Sequence, residues 1–322
     1  MSPQMIFGTG GLGMDLTEFQ DVESVKAALQ VFKGLGITRL DTAARYPPLN
    51  PGKSEQLLGE ALELSRDFAV DTKVYTDTKT NGGGDLTRTA IAKSVDASLK
   101  RLQRPEGVNV LYVHRADPAT PLEEQIQGFV DQIANGHCKA WGVSNVSPDM
   151  LEEMLQLCEL KGWPKPSYYQ GTYNVISRAM ETKLWPILQA HNIKFVAFWA
   201  LATGFLTGKF VNGQHAGTRL GDDNPLGKAM QKMYGQEEVM RAVKKFDTET
   251  RALGLTPLEV SIRWIFYHSK LTDDDGVLLG ASKVEQIVEN VASIKKGPLS
   301  DAACLLVEEL WETVKETRDN VM

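Results

Sequence analysis

The chain has 322 residues, of which 42% are hydrophobic and 24% charged, with a formal net charge of −6 and a pI near 5.5. This length allows one large barrel or two ordinary domains, and the acidic balance argues against a nucleic-acid or anionic-membrane partner. No apolar run approaches the roughly 18 residues of a membrane span, and we expect no signal peptide at the start. Three cysteines without a CxxC motif are too few for a disulfide framework, so we expect a reducing, cytoplasmic setting.

Short apolar strands alternate with amphipathic helices along the sequence. The first half predicts strands at 5–7, 37–41, 68–73 and 108–113, and helices at 22–35, 54–64, 86–102 and 121–134. The second half predicts strands at 140–143, 168–170, 193–198 and 276–279, a loop at 201–235, and helices at 149–160, 182–190, 237–253, 257–267, 283–294 and 299–317. Eight such units in this length favour a closed (β/α)8 barrel, or TIM barrel, over an open parallel sheet. We expect one domain over residues 1–322.

Ionisable residues stand where the strands end. Strand two ends on Asp41, strand three on Lys73 and strand four at His114, and Tyr46 follows strand two by five residues. Each alone has an ordinary structural role, but residues at these strand ends share one site in a barrel. A free tyrosine, with a pKa of about 10, is a poor acid, and a nearby ammonium lowers that pKa. The set therefore indicates a proton donor, with Asp41 orienting Lys73 and His114 bonding a substrate oxygen.

The same residues resemble the catalytic tetrad of the aldo-keto reductases. The stretch LDTA at 40–43 with Tyr46, then Lys73, then YVH at 112–114 match that family's pattern in order and spacing. The likeness covers nearly the whole chain. Tyr173-Asn174 and a TGKF run lean towards the branch of aflatoxin-aldehyde reductases and potassium-channel β subunits.

The resemblance implies a carbonyl reductase that uses NADPH. Hydride would pass from the nicotinamide to the carbonyl carbon, and Tyr46 would protonate the oxygen. Lys73 and Asp41 would tune the phenol, and His114 would orient the substrate.

The resemblance also assigns cofactor contacts. A GVSN stretch and a glutamine hold the carboxamide, an aromatic ring stacks on the nicotinamide, the segment LATGFLTGK clamps the pyrophosphate, and a late motif binds the adenosine phosphate. The residues are Ser144, Asn145, Gln170, Phe198, Leu201, Gly204, Leu206, Lys209, Arg219, Ser282, Lys283, Gln286, Glu289 and Asn290. Lys283 carries a positive charge suited to the 2′-phosphate of NADPH.

The substrate pocket departs from the aflatoxin-aldehyde reductase branch. That branch carries arginines in the loop after strand seven, where this chain has MQKMY at 230–234, although Lys232 could partly substitute. Short carboxylated aldehydes are therefore less favoured, and we expect an apolar or aromatic carbonyl compound. The predicted lining residues are Met14, Pro47, Arg115, Tyr173, Trp199 and Tyr234.

Other motifs indicate other classes of site. The stretch at 8–13 fits GxGxxG, and the next strand ends on an acid, Asp41, which keeps an open dinucleotide-binding sheet as an alternative. That fingerprint must open a helix directly after its strand, whereas residues 14–20 intervene here. The run DDDG at 273–276 could suggest a cation site but is more typical of a solvated turn. No HxH or HExxH motif occurs, so we expect no metal.

Three functions remain compatible with the sequence. The first is a reductase, and the second is a cofactor-binding regulatory subunit of the channel β-subunit type with little turnover. The third is the reverse direction, oxidation of an alcohol, or action on an alkene. The short stretch before the first strand favours the enzyme. A homo-oligomer is compatible with all three.

Overall fold

A computed structural model describes residues 2–218 and 220–318. Eight parallel strands close into a barrel in sequence order, and the first strand pairs with the last through Met5 opposite Val277. This confirms the predicted (β/α)8 fold. The strands are β1 (Gln4–Gly8), β2 (Arg39–Asp41), β3 (Ala69–Lys73), β4 (Val108–Val113), β5 (Cys138–Ser144), β6 (Tyr168–Thr172), β7 (Lys194–Phe198) and β8 (Gly276–Leu279).

Helices surround the barrel and cover the outward faces of its strands. They are α1 (Val22–Gly34), α2 (Lys53–Glu60), α3 (Leu62–Ser65), α4 (Arg88–Leu102), α5 (Leu122–Ala134), α6 (Pro148–Lys161), α7 (Met180–Lys183), α8 (Trp185–Ala190), α9 (Pro225–Tyr234), α10 (Glu237–Ala252), α11 (Pro257–Tyr267), α12 (Val284–Lys295) and α13 (Asp301–Arg318), with a 3-10 helix at Ala202–Thr207. Two predicted helices, 54–64 and 182–190, are each divided into two shorter ones. The predicted loop at 201–235 contains the 3-10 helix and α9.

Side-chain caps fix where several helices begin. The Asp21 carboxylate accepts the Ser24 amide at 2.8 Å at the start of α1. Thr87, Ser147 and Thr256 cap α4, α6 and α11 in the same way, each accepting the amide three residues ahead. Such caps satisfy amides that have no partner within the helix, which is why these starts are readable from sequence.

The barrel interior is polar as well as apolar. In its lower part Arg39 pairs with Asp71 at 2.7 Å, and Asn109 donates to the same carboxylate at 2.7 Å. The Tyr112 ring lies against Gly142, where a Cβ would come within 2.6 Å of that ring. The opposite end, where the strands finish, is the mouth of the barrel. In barrels of this type the chemistry is found at that end.

The motifs that suggested other classes of site have structural roles. Strand β1 ends at Gly8 and α1 begins only at Val22, so the glycine-rich stretch does not open a helix, and the closed barrel excludes the open-sheet alternative. The Asp275 carboxylate accepts the backbone amides of Phe195 at 2.6 Å and Thr272 at 2.7 Å, as in a capped turn.

Neither a membrane span nor a metal cluster is found in residues 2–218 and 220–318. No helix there is long and apolar enough to cross a bilayer. No group of three or more His, Cys, Asp or Glu side chains in those ranges is arranged to hold a metal ion. Cys138 and Cys158 are buried free thiols, and Cys304 is a partly exposed one.

Candidate active site

The mouth of the barrel brings the four predicted catalytic residues together. Asp41 and Lys73 are the last residues of β2 and β3, and His114 directly follows β4. Tyr46 lies in the loop after β2, in a turn closed by its own amide bonding to the Ala43 carbonyl at 2.9 Å. Because the strands are parallel and adjacent, their ends converge on one site.

A buried ion pair forms the base of this site. The Lys73 ammonium lies 2.5 Å from the Asp41 carboxylate, and both residues are only 1% exposed. The ammonium also donates to the Thr42 carbonyl at 2.9 Å. Burial is the largest single influence and lowers the pKa of Lys73, but the charge of Asp41, its hydrogen bond to the ammonium and the nearby Tyr46 and Asp71 together raise that pKa above its ordinary value. Lys73 is therefore a fixed cation at neutral pH.

Gln170 completes the support of this pair. Its amide nitrogen donates to the second Asp41 oxygen at 2.8 Å, so each carboxylate oxygen has a partner. Side chains alternate along a strand, which places Gln170 of β6 on the inward face. The sequence predicted Gln170 as a cofactor contact only, and its bond to Asp41 is an additional role that spacing alone did not indicate.

The phenol of Tyr46 faces the ammonium. The Lys73 nitrogen lies 5.1 Å from the centre of the Tyr46 ring. Burial raises the pKa of Tyr46 above its ordinary value of 10.0, and the charge of Lys73 lowers it only in part. The ammonium lowers this pKa, as expected from the sequence, but desolvation is the larger effect and the net shift is upward. The phenol holds its proton at neutral pH.

His114 approaches the same phenol from β4. The two rings meet edge to face at 5.6 Å between centroids. Burial lowers the pKa of the imidazole well below its ordinary value of 6.5, and nearby cations, Lys73 first, lower it further. Its Nδ1 is buried without a hydrogen-bond partner among the described residues. A neutral imidazole in this position can bond a substrate oxygen without competing with Tyr46 for the proton.

The residues expected to hold a nicotinamide lie beside this set. Asn145 has a left-handed backbone (φ 54°), and its side-chain amide donates to the His114 carbonyl at 3.0 Å and to Ser144 Oγ at 3.1 Å. Phe198 ends β7, partly exposed, with its ring edge to face with Trp199 at 5.2 Å. Together with Gln170 these side chains border one side of the mouth.

The segment expected to clamp a pyrophosphate follows β7. It turns sharply at Thr203 and Gly204, whose φ values are 59° and 102°. Leu201 and Gly204 are partly exposed and Lys209 is exposed, whereas the Leu206 side chain is fully buried. Leu206 could therefore contact a cofactor only through its backbone.

The late motif forms the start of α12. The Gln286 amide oxygen accepts the amide of Ser282 at 2.8 Å and that of Lys283 at 3.3 Å. Lys283 and Glu289 are exposed. Asn290 is buried, and its side-chain oxygen has no partner among the described residues.

Glu18 of the loop after β1 contacts the start of α12. Its carboxylate accepts the Val284 amide at 3.2 Å and lies 3.9 Å from Lys283 Nζ. Glu18 was not singled out from the sequence, where nothing but an acidic residue in a loop marks it. Arg219, the remaining predicted cofactor contact, lies outside the described residues.

Two predicted substrate-lining residues are not at the mouth. Tyr173 is 0% exposed, and its hydroxyl donates to Glu181 at 2.7 Å. It continues the outward-facing series of Tyr169 on β6 and packs against Phe195 beneath the helices. Tyr234 is 1% exposed and stacks on the Phe205 ring at 5.3 Å. The Arg318 guanidinium lies 4.6 Å from the centre of the Tyr234 ring. Both predictions are wrong because each ring belongs to the core.

The other predicted lining residues remain compatible with a substrate. Met14, Arg115 and Trp199 are partly exposed. Trp199 has a left-handed backbone (φ 58°), and its carbonyl accepts the Asn174 side chain at 2.9 Å. Pro47 follows Tyr46 directly and is buried.

Known proteins are similar to this sequence over most of its length. A family model described as "Aldo/keto reductase family" matches residues 4–312. The "Oxidoreductase sirO" of Leptosphaeria maculans is 33% identical over 98% of this chain and 95% of its own. The human "Aflatoxin B1 aldehyde reductase member 2" is 32% identical over 94% and 85%, and the "Putative voltage-gated potassium channel subunit beta" of Schizosaccharomyces pombe is 32% identical over 90% and 84%.

The chain belongs to the aldo/keto reductase family. Its relatives include the aldehyde reductases and channel β subunits expected from the sequence, so the resemblance is confirmed. Membership makes the chain an oxidoreductase of a family that acts on small carbonyl compounds with NAD(P)H.

Proposed function

We propose that this protein reduces an aldehyde or ketone to an alcohol, with NADPH as the reductant and Tyr46 as the proton donor. The observation that carries the proposal is the buried Lys73–Asp41 pair, whose ammonium lies 5.1 Å from the centre of the Tyr46 ring. A fixed cation beside a neutral phenol favours release of the phenol's proton, because it stabilises the phenolate that remains. The substrate in this proposal has an apolar or aromatic body.

Each residue of the site has a separate task in this reaction. Tyr46 donates its proton to the substrate oxygen, and Lys73 stabilises the resulting phenolate. Asp41 and Gln170 hold the ammonium in position through a continuous chain of hydrogen bonds. His114, neutral at physiological pH, bonds the substrate oxygen and directs it towards the phenol.

The side chains around the mouth fit a nicotinamide dinucleotide. Ser144, Asn145 and Gln170 would hold the carboxamide, and Phe198 would lie against the ring. At the adenosine end of the dinucleotide, the buried side-chain oxygen of Asn290, which has no partner among the described residues, is an acceptor suited to an adenine amino group. When bound, NADPH supplies the hydride.

The preference for NADPH over NADH rests on the start of α12. Ser282, Lys283 and Gln286 would receive the 2′-phosphate, since a helix start carries the positive end of the helix dipole and a lysine offers positive charge. The nearby Glu18 carboxylate is the opposing charge, so the preference depends on Lys283 turning from Glu18 to the phosphate.

A second candidate is a regulatory subunit that binds the cofactor with little turnover. It is favoured by the likeness to the fission-yeast protein named as a channel β subunit, which spans 90% of this chain. The intact Tyr46, Lys73 and Asp41 arrangement favours the enzyme. We also propose a reducing cytosolic setting, which the free thiols support.

The direct test follows NADPH oxidation at its absorbance band against a panel of carbonyl compounds, with identification of the alcohol formed. We expect aromatic aldehydes to be reduced with NADPH, and less efficiently with NADH. Tight NADPH binding without turnover across the panel would favour the regulatory subunit. A marked preference for succinic semialdehyde over aromatic aldehydes would contradict the apolar or aromatic body.

A further inference from the structure

Two arginines stand at the mouth beside the reacting groups. Arg45 immediately precedes Tyr46, and Arg115 immediately follows His114. The Tyr46 and His114 rings are 5.6 Å apart, which brings two different loops together at this point. Both arginines are partly exposed, so their guanidinium groups can reach a bound molecule.

Most of the hydrogen-bonding capacity of these guanidinium groups is unused. Arg45 makes one hydrogen bond, from NH1 to the Thr76 carbonyl at 3.2 Å. The stem of Arg115 packs near Gly82, where a Cβ would lie 3.6 Å from Arg115 Cδ. Within the described ranges the Arg115 guanidinium makes no hydrogen bond, and neither arginine has a carboxylate within 4.0 Å.

The acidic residues of the loops after β3 and β4 are already engaged elsewhere. The Asp117 carboxylate accepts the amides of Gly84 at 3.0 Å and Leu86 at 2.9 Å. Asp85 accepts the amide of Asp77, whose own carboxylate accepts an amide two residues ahead. These carboxylates organise the loops after β3 and β4, and the part of the chain that the structure describes provides no other counter-ion for the arginines.

The two arginines therefore bring positive charge to the mouth of a chain whose net charge is −6. Lys73 and Asp41 cancel each other in their buried pair. His114 is neutral at physiological pH, so the two arginines are an uncompensated double positive charge beside the phenol. Planar cations with free hydrogen-bond donors are what carboxylate recognition requires.

We propose that Arg45 and Arg115 together bind a carboxylate carried by the carbonyl substrate. The inference rests on the proposed reductase function and narrows its substrate class to apolar or aromatic carbonyl compounds that bear a carboxylate. The apolar part of such a substrate would lie against Met14 and Trp199, which are partly exposed at the same mouth. The positive charge for this carboxylate comes from the loops after β2 and β4. From the sequence alone, the loop after β7 was the place where such a charge was sought.

A matched pair of substrates isolates the charge. 4-Formylbenzoate and its methyl ester have the same aldehyde and ring and differ in the carboxylate. The variants are Arg45→Gln, Arg115→Gln and the double variant, with Arg45→Lys and Arg115→Lys retaining the charge. The control is Arg66→Gln, which removes an exposed arginine next to the N-terminal end of β3, away from the mouth.

We expect the unmodified protein to reduce the acid with a higher kcat/KM than the ester, mainly through a lower KM. Each glutamine variant should lower kcat/KM for the acid by about tenfold, the size of one charge-assisted hydrogen bond in a partly exposed site, and the lysine variants by less. The ester reaction should lose less than the acid reaction in every glutamine variant, and Arg66→Gln should change both reactions by less than about twofold. Added salt should weaken the preference for the acid.

Two kinetic outcomes would overturn the inference. The first is an unmodified protein whose kcat/KM for the ester equals its kcat/KM for the acid. The second is an equal loss for both substrates in a double variant that remains folded, which would mean that the arginines act on Tyr46 and not on the substrate. The ester reaction also reports folding, because a misfolded variant loses both activities. If a glutamine variant misfolds, Arg45→Lys and Arg115→Lys show whether retaining the positive charge retains the preference for the acid.

Calorimetric binding of 4-(hydroxymethyl)benzoate separates this inference from the proposed function. Binding that is weakened in the double glutamine variant supports the carboxylate site even if no aldehyde is reduced. If the aldehyde ester is reduced but 4-(hydroxymethyl)benzoate and its methyl ester bind equally well, the reductase function is supported and the carboxylate site is overturned.

Discussion

Replacing Lys73 with methionine tests the electrostatic centre of the site. Methionine approximates the length of the lysine stem but carries no charge. The variant leaves the Asp41 carboxylate, which is 1% exposed, with Gln170 and without its cation. It also removes the positive charge that faces the Tyr46 phenol.

The structure gives the size of both effects. With 5.1 Å between the ammonium and the centre of the Tyr46 ring and an effective dielectric constant of about 20, Lys73 stabilises a full phenolate charge by about 3 kcal/mol. Its loss should therefore lower kcat by on the order of a hundredfold. Breaking a buried ion pair by removing one partner should also lower the free energy of unfolding by about 3–5 kcal/mol.

A second variant separates the two effects. The double variant Asp41→Asn/Lys73→Met has no unpaired buried charge, so urea unfolding should show most of the lost stability restored while kcat stays low. Lys100→Met, which removes an exposed lysine from α4, is the matched control and should change neither quantity. The reasoning is refuted if Lys73→Met retains kcat within about threefold, or if the double variant regains activity.

Three further expectations follow from the same contacts. The pH profile of kcat/KM for reduction should be flat from about pH 6 to 9. His114 stays neutral over this range because its pKa is lowered, and Tyr46 keeps its proton because its pKa is raised. A transition near pH 6.5 that disappears in His114→Asn would contradict this. Tyr173→Phe should lower the free energy of unfolding by about 1.5–3 kcal/mol at unchanged kcat/KM, and a change in KM without loss of stability would return Tyr173 to the substrate. Lys283→Gln should weaken NADPH binding, measured by cofactor fluorescence, roughly three- to tenfold and leave NADH binding unchanged; equal losses would remove the role of Lys283 at the 2′-phosphate.

The barrel could be predicted from the sequence because its strands are buried on both faces and its helices carry their own start signals. Residues such as Thr87 and Ser147 mark helix starts through local hydrogen bonds that depend only on nearby sequence. Helix α9 was not predicted because glycines such as Gly221, and Pro225 at its first position, are typical of a loop. Pro225 in fact fits the first turn of a helix, where its missing amide costs nothing.

The candidate site was predictable where a residue ends a strand and less so elsewhere. Asp41, Lys73 and His114 are fixed in space by the parallel strands that they end or follow. Tyr173 was predicted to line the substrate pocket, but alternation along the strand puts it on the outer face with the core. The Gln170 bond to Asp41 joins residues 129 positions apart, and no local pattern reports such a contact.

The role of Tyr46 as proton donor is tested most directly by comparing Tyr46→Phe with Tyr112→Phe. Both rings lie near the Lys73 ammonium, at 5.1 and 5.8 Å, and each variant loses one hydroxyl. Tyr112 is fully buried below the mouth, whereas Tyr46 is partly exposed at it. In single-turnover reduction of an aromatic aldehyde with saturating NADPH, Tyr46→Phe should be slower by at least about a hundredfold with cofactor binding retained, and Tyr112→Phe should be nearly unchanged. A Tyr46→Phe rate close to that of the unmodified protein would contradict the account.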